Sequence, residues 1–95
     1  MANRDYIVFD FETGSRNPTR TQPTQIAALA LDGRNLAVKG SFNSEIKPIL
    51  DDEKAIKAGF DPIEDGALRV TNKTREALAK APALKSVWNK FTKFV

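Results

Sequence analysis

"YIVFDFETG", Tyr6 to Gly14, is the stretch on which the fold turns. Its apolar part is aromatic and β-branched and nearly continuous, the pattern of a strand buried on both faces. A strand over about residues 5–11 follows from it. Yet the run ends in two carboxylates, Asp10 and Glu12, one residue apart. Side chains at i and i+2 of a strand point the same way, so both acids project to one side and Phe11 to the other. Two anions on one apolar platform repel each other and lose hydration. A divalent cation answers both problems, and Mg²⁺ often takes only one or two carboxylates, with water and phosphate completing its shell. Two such ions about 4 Å apart can activate a water and stabilise a leaving oxygen in phosphodiester cleavage. The plain alternative is a pair of strand-end residues in solvent. Likewise, Thr13 and Gly14 either simply end the strand or let backbone approach a phosphate.

The stretch that follows, Gly14 to Thr24, is a loop by composition, rich in Gly, Pro, Thr and Arg. A second strand over about 25–31 is Ala-rich and passes for a helix by propensity alone. The Asp32-Gly33 pair decides for a hairpin. A third strand, about 36–47, then puts Phe42, Ser44 and Ile46 on one face and Asn43, Glu45 and Lys47 on the other. Pro48 ends it, because it cannot donate to a ladder. Residues 49–68 are less regular. Asp51 to Gly59 suits a helical turn stopped by Gly59, and FDPIEDG after it is loop-like. Asn72 or Thr74 suits the N-cap of a helix over about 74–80. Pro82 suits the first turn of a helix over about 82–95. The apolar stripe of that helix, Leu84, Val87, Trp88, Phe91 and Val95, is expected to pack on the sheet. The chain reads as one unit, 1–95, of α/β (α+β) class, a three-stranded antiparallel meander followed by helices. It has neither repeats nor low-complexity segments. With no stop signal after the last helix, it reads as an incomplete domain.

Composition narrows the chemistry. The 95 residues contain no Cys and no His. This removes disulfides, thiolate ligands, and the commonest general base and zinc ligand. Catalysis would rest on carboxylates, hydroxyls, lysines or an oxygen-bound metal. No apolar run approaches the roughly 20 residues of a membrane helix, and MANRDY lacks a signal-peptide core. The expectation is a cytoplasmic protein without a membrane partner. Net charge is +3, but unevenly spread. Residues 1–68 sum to −3 and residues 69–95 to +6, counting Lys and Arg against Asp and Glu. The basic third suits either a solubilising helix face or a polyanion.

"IVFDFETG" resembles the first motif of the proofreading-type 3′→5′ exonucleases, the DEDD group with a ribonuclease-H-like fold. "QIAALALDGRNLAVKGSFNSEIKP" is similar to their second and third strands. "ALRVTNKTREALAKAPALKSVWNKFTKFV" is similar to the segment leading into their first large helix. The resemblance covers essentially the whole chain, in order. It implies metal-dependent hydrolysis of DNA or RNA from a single-stranded 3′ end. Asp10 and Glu12 would be the first catalytic and metal-binding acids, with Mg²⁺ or Mn²⁺ as cofactor. Thr13 would meet the substrate's 3′ end, and Leu68 and Thr71 would lie near the segment that holds terminal nucleotides. The family's third and fourth aspartates and its His or Tyr have no counterpart here. The resemblance thus implies an incomplete site, inactive alone, with the remainder of the domain or a polymerase as partner. An alternative is a non-catalytic nucleic-acid- or polymerase-binding remnant. A haloacid-dehalogenase-type phosphatase, which begins D-x-D-G-T, is disfavoured by Glu12, by the Thr13-Gly14 order and by the hairpin.

Overall fold

The computed structural model describes residues 5–95. Residues 1–4, the start of the unit expected over 1–95, lie outside the described residues. The chain forms β1 (Tyr6–Thr13), β2 (Pro23–Leu31), β3 (Val38–Glu45), α1 (Asp52–Lys57), α2 (Asp65–Val70), α3 (Arg75–Ala79) and α4 (Leu84–Phe94). The strands make one antiparallel sheet in the order β1-β2-β3. It is the meander with following helices expected of the ribonuclease-H-like fold.

Register explains which face is which. Asp10 lies opposite Ala27 and Ala27 opposite Asn43. Glu12, Gln25 and Glu45 form the next row on the same face. The other face carries Ile7, Ile26, Ala28 and Phe42. There α4 lays down Val87, Phe91 and Phe94 to form the larger core, with Ile46 joining at the strand end. A smaller core gathers Ile63, Leu68 and Leu78, flanked by Leu50. Two small cores side by side make an elongated molecule, 51 × 25 × 24 Å. Its radius of gyration, 15.4 Å, exceeds the roughly 12 Å of a compact chain this long.

Several expectations need correction. β1 is not buried on both faces. It is an outer strand of the sheet, and Tyr6, Val8 and Phe9 are each more than half exposed. On its inner face Ile7 joins the larger core and Phe9 meets Phe91 of α4 edge-on. The β2–β3 turn is longer than a two-residue Asp-Gly hairpin. The Asp32 amide donates to Ala37 and the Leu36 amide to Asp32, each at 2.8 Å. The Asp32 carboxylate also accepts from the Arg34 amide at 2.8 Å. Leu36, not Gly33, takes the left-handed conformation, at φ 60°, so β3 begins at Val38 rather than residue 36. FDPIEDG is not loop throughout, because α2 begins within it at Asp65. α2 forms there because Leu68 is buried against Ile63 and Leu78 and the Thr71 hydroxyl closes the last turn on the Ala67 carbonyl at 2.9 Å. Asn72, at φ 57°, ends α2, and Thr74 caps α3 by accepting from the Ala77 amide at 3.1 Å. Pro82 stands before α4, not in its first turn. Its carbonyl accepts from the Lys47 amide at 2.8 Å, which holds Ala83 extended as the N-cap. Of the expected stripe, only Val87 and Phe91 are buried. Leu84, Trp88 and Val95 are 47%, 51% and 66% exposed, because the sheet is narrower than the helix face.

Candidate functional site

The loop after β1 is tied down by long-range bonds. The Gly14 amide donates to the Gln22 carbonyl at 3.0 Å, and the Glu64 amide to the Gly14 carbonyl at 2.7 Å. The buried Gln22 amide group holds both backbone atoms of Ile49, at 3.1 and 2.8 Å. The Ser15 amide donates to Thr21 Oγ1 at 3.0 Å, and Arg20 pairs with Asp61 at 3.6 Å. The Glu64 carboxylate, one residue before α2, accepts from the Arg16 amide at 2.8 Å. These bonds draw residues 14–22 against 61–64 and so set the end of β1 beside α2.

Between them lies a cleft of about 430 Å³ whose walls include Glu12, Thr13, Arg16, Arg69 and Thr71. Gly14 makes the approach possible. A Cβ there would overlap Cδ1 of Ile63, itself 4% exposed. On the sheet face that carries the acids, a second concavity of about 410 Å³ runs past Asp10, Ala27 and Asn43. The two carboxylates therefore stand where the sheet face meets the α2 cleft, Asp10 facing one hollow and Glu12 the other.

Asp10 is exposed, and its Oδ1 accepts from the Phe11 amide at 2.9 Å. Glu12 and Thr13 are half-buried at the end of β1. Thr71 lines the cleft, with its hydroxyl engaged by α2. Leu68 is the exception among the residues expected at the site. It is 7% exposed, packed in the smaller core and absent from the cleft walls, where its neighbours Ala67 and Arg69 stand. Beyond the sequence-based set, the cleft brings in Arg16 and Arg69. The basic composition of residues 69–95 hints at the second, and nothing local marks the first.

The row behind Glu12 is ordered by a buried cation. Lys73, with a side chain 6% exposed, donates to Gln25 Oε1 and reaches Glu45 Oε2 at 3.4 Å. Gln25 passes its own amide to Asn43 Oδ1 at 2.7 Å. This chain fixes the side chain that faces Glu12 across the β1–β2 ladder. The oxygen donors of Asp10 and Glu12 suit a hard divalent cation. Among the described residues no third Asp, Glu, His or Cys gathers with them.

No curated protein matches the chain at a significant level. Solved structures do. The nuclease domain of 3′hExo, a DEDDh family member bound to rAMP, superposes with a TM-score of 0.74 at 16% identity, over 97% of this chain and 44% of that one. Cell-death related nuclease 4 gives 0.70 at 22%, over 94% and 29%. E. coli Exonuclease I in complex with a 5cy-dA13 oligonucleotide gives 0.63 at 24%, over 82% and 15%. The chain thus spans less than half the length of each of these neighbours. They share its fold, and the family model for exonucleases of the RNase T type matches residues 7–95. By that match, spanning nearly its whole length, the chain belongs to the exonuclease family of RNase T.

Proposed function

We propose that this chain supplies the first metal-binding carboxylates and the 3′-end cleft of a divalent-metal-dependent 3′→5′ exonuclease acting on single-stranded nucleic acid. The observation that carries the reading is the placement of Asp10 and Glu12 on one face of β1, with the Glu12–Thr13 end opening into the cleft against α2. Two structural neighbours bind matching ligands, one an oligonucleotide and one rAMP.

Asp10 and Glu12 would hold Mg²⁺ or Mn²⁺, whose chemistry is to lower the pKa of a bound water and to neutralise charge on a phosphodiester. The residues of this chain do the rest of what is assigned here. Thr13 and Thr71 border the space for a terminal nucleotide. The Lys73–Gln25–Asn43 relay keeps the strand beneath Glu12 in register. With no His in the sequence and no third acid beside the pair among the described residues, the 95 residues alone are expected not to cleave.

The test is a domain in which this segment is joined to the remainder of an exonuclease of its family. Mg²⁺- or Mn²⁺-dependent release of nucleotides from a single-stranded 3′ end is expected, and Asp10→Ala should abolish it. Full activity in the variant sinks the metal role. The second reading, a non-catalytic nucleic-acid surface of the same fold, predicts salt-sensitive binding and no metal-dependent cleavage in that same domain.

A further inference from the structure

The described part of the chain contains five arginines, and they divide cleanly. Arg20, Arg34 and Arg75 pair with Asp61, Asp32 and Asp65, at 3.6, 3.3 and 2.8 Å. For Arg16 and Arg69 no carboxylate or hydrogen-bond acceptor meets the guanidinium among the described residues. Those two are the arginines that line the cleft. Arg16 comes from the loop after β1, with its backbone pinned by Glu64. Arg69 comes from α2, between buried Leu68 and exposed Val70. The cationic groups thus come from two chain segments far apart in sequence. Glu12 is the one carboxylate on the same walls.

We infer that Arg16 and Arg69 are a phosphate clamp for the backbone of a single strand whose end occupies the cleft. A planar guanidinium offers paired donors that match two phosphate oxygens. Asp10 and Glu12 repel a polyanion, and two unpaired guanidiniums on the neighbouring walls offset that repulsion. The clamp binds the strand without a metal, which gives it a role separate from the carboxylates. It rests on reading the cleft as the seat of a strand end.

The competing surface is α4, where Lys85, Lys90 and Lys93 lie on a helix without an acidic residue. The experiment sets the two against each other, with chelator present so that metal binding and cleavage play no part. Fluorescence anisotropy of a short labelled oligothymidylate is followed across a salt series. Arg16→Gln and Arg69→Gln should each weaken binding about 5- to 10-fold, and each should flatten the slope of log K against log salt by about 0.7. Arg16→Lys should recover the slope but only part of the affinity, because it keeps charge and loses the paired donors. Lys85→Gln with Lys90→Gln should stay within about twofold of the wild type. Inorganic phosphate and a mononucleotide should compete far less well than unlabelled oligonucleotide. Loss carried by the lysines, unchanged binding in both arginine variants, equal competition by free phosphate, or no binding by the wild type would each overturn the clamp. Since no cleavage is read, failure here leaves the exonuclease reading to its own test.

Discussion

Gly14 joins the carboxylate strand to the smaller core, and its replacement by alanine gives the sharpest test of how the site is held. A Cβ at this position would overlap Cδ1 of Ile63 and stand 3.6 Å from Cγ2 of Thr24. Ile63 and Thr24 are 4% and 1% exposed, so neither can swing into solvent. Inserting a methyl into such a site costs about 1–3 kcal/mol. Reduced freedom of the unfolded chain returns about 0.4–1 kcal/mol. A net loss of about 1–2 kcal/mol follows, which for a chain this size lowers the melting temperature by roughly 5–15 °C. Gly66→Ala is the matched control. That glycine lies within α2, and an alanine methyl there would meet no neighbour within 4 Å, so the change should gain roughly 0.5–1 kcal/mol. The same chemical change thus has opposite signs at a buried glycine and at an exposed one. Ile63→Val removes the methyl that collides. Alone it should cost about 0.5–1.5 kcal/mol, but combined with Gly14→Ala it should recover stability relative to Gly14→Ala. Urea unfolding of the wild type, the two single variants and the double variant closes the cycle. A Gly14→Ala protein as stable as the wild type, or additive losses in the double variant, would refute the close approach of β1's end to Ile63.

Three further outcomes follow from particular contacts. Lys73 is buried and held by Gln25 and Glu45, so Glu45→Ala should destabilise by about 1–3 kcal/mol, while Lys73→Met should cost little or stabilise; chemical denaturation distinguishes them. Thr24 Oγ1 is buried with no hydrogen-bond partner among the described residues, so Thr24→Val should raise stability by about 1 kcal/mol, read as a higher denaturation midpoint. The Lys39 ammonium, 2.8 Å from Asp5, holds the Asp5 carboxyl below its ordinary value of 3.8, and the Arg34 side chain does the same for Asp32. A carboxyl depressed in the folded state contributes stability above its unfolded pKa and loses it as pH falls through the folded one. Lys39→Gln should therefore be less stable than the wild type near neutral pH, and the difference should shrink as pH falls below the ordinary carboxyl value of 3.8, in an acid titration followed by circular dichroism.

The legible features were local ones. Alternation along Tyr6–Glu12 put both acids on one face, and Phe42 and Ile46 against Asn43 and Glu45 gave the faces of β3. Gly59 as a stop and Thr74 as a cap follow from backbone chemistry that the residue itself carries. What stayed hidden depends on partners distant in sequence. Leu36 adopts φ > 0 because the hairpin closes around Asp32. α2 is only one to two turns long, contains Gly66, and owes its existence to Ile63 and Leu78. Leu68 matches a substrate-facing segment by resemblance, yet its apolar side chain is worth more in that small core. Trp88 fits the helical stripe but runs past the edge of a sheet three strands wide. Arg16 enters the cleft through the Glu64 carboxylate, 48 residues on, which no local pattern announces.

The proposal that Asp10 and Glu12 hold a divalent cation is tested most directly by titrating Mn²⁺ into the ¹⁵N-labelled protein and following paramagnetic broadening residue by residue. Broadening should centre on Asp10 to Thr13 and on their cross-strand neighbours Gln25 to Ala27, and should vanish from these residues in Asp10→Ala. Broadening centred instead on the acidic turn Asp51-Asp52-Glu53 at the start of α1, or undiminished at β1 in the variant, would contradict the assignment.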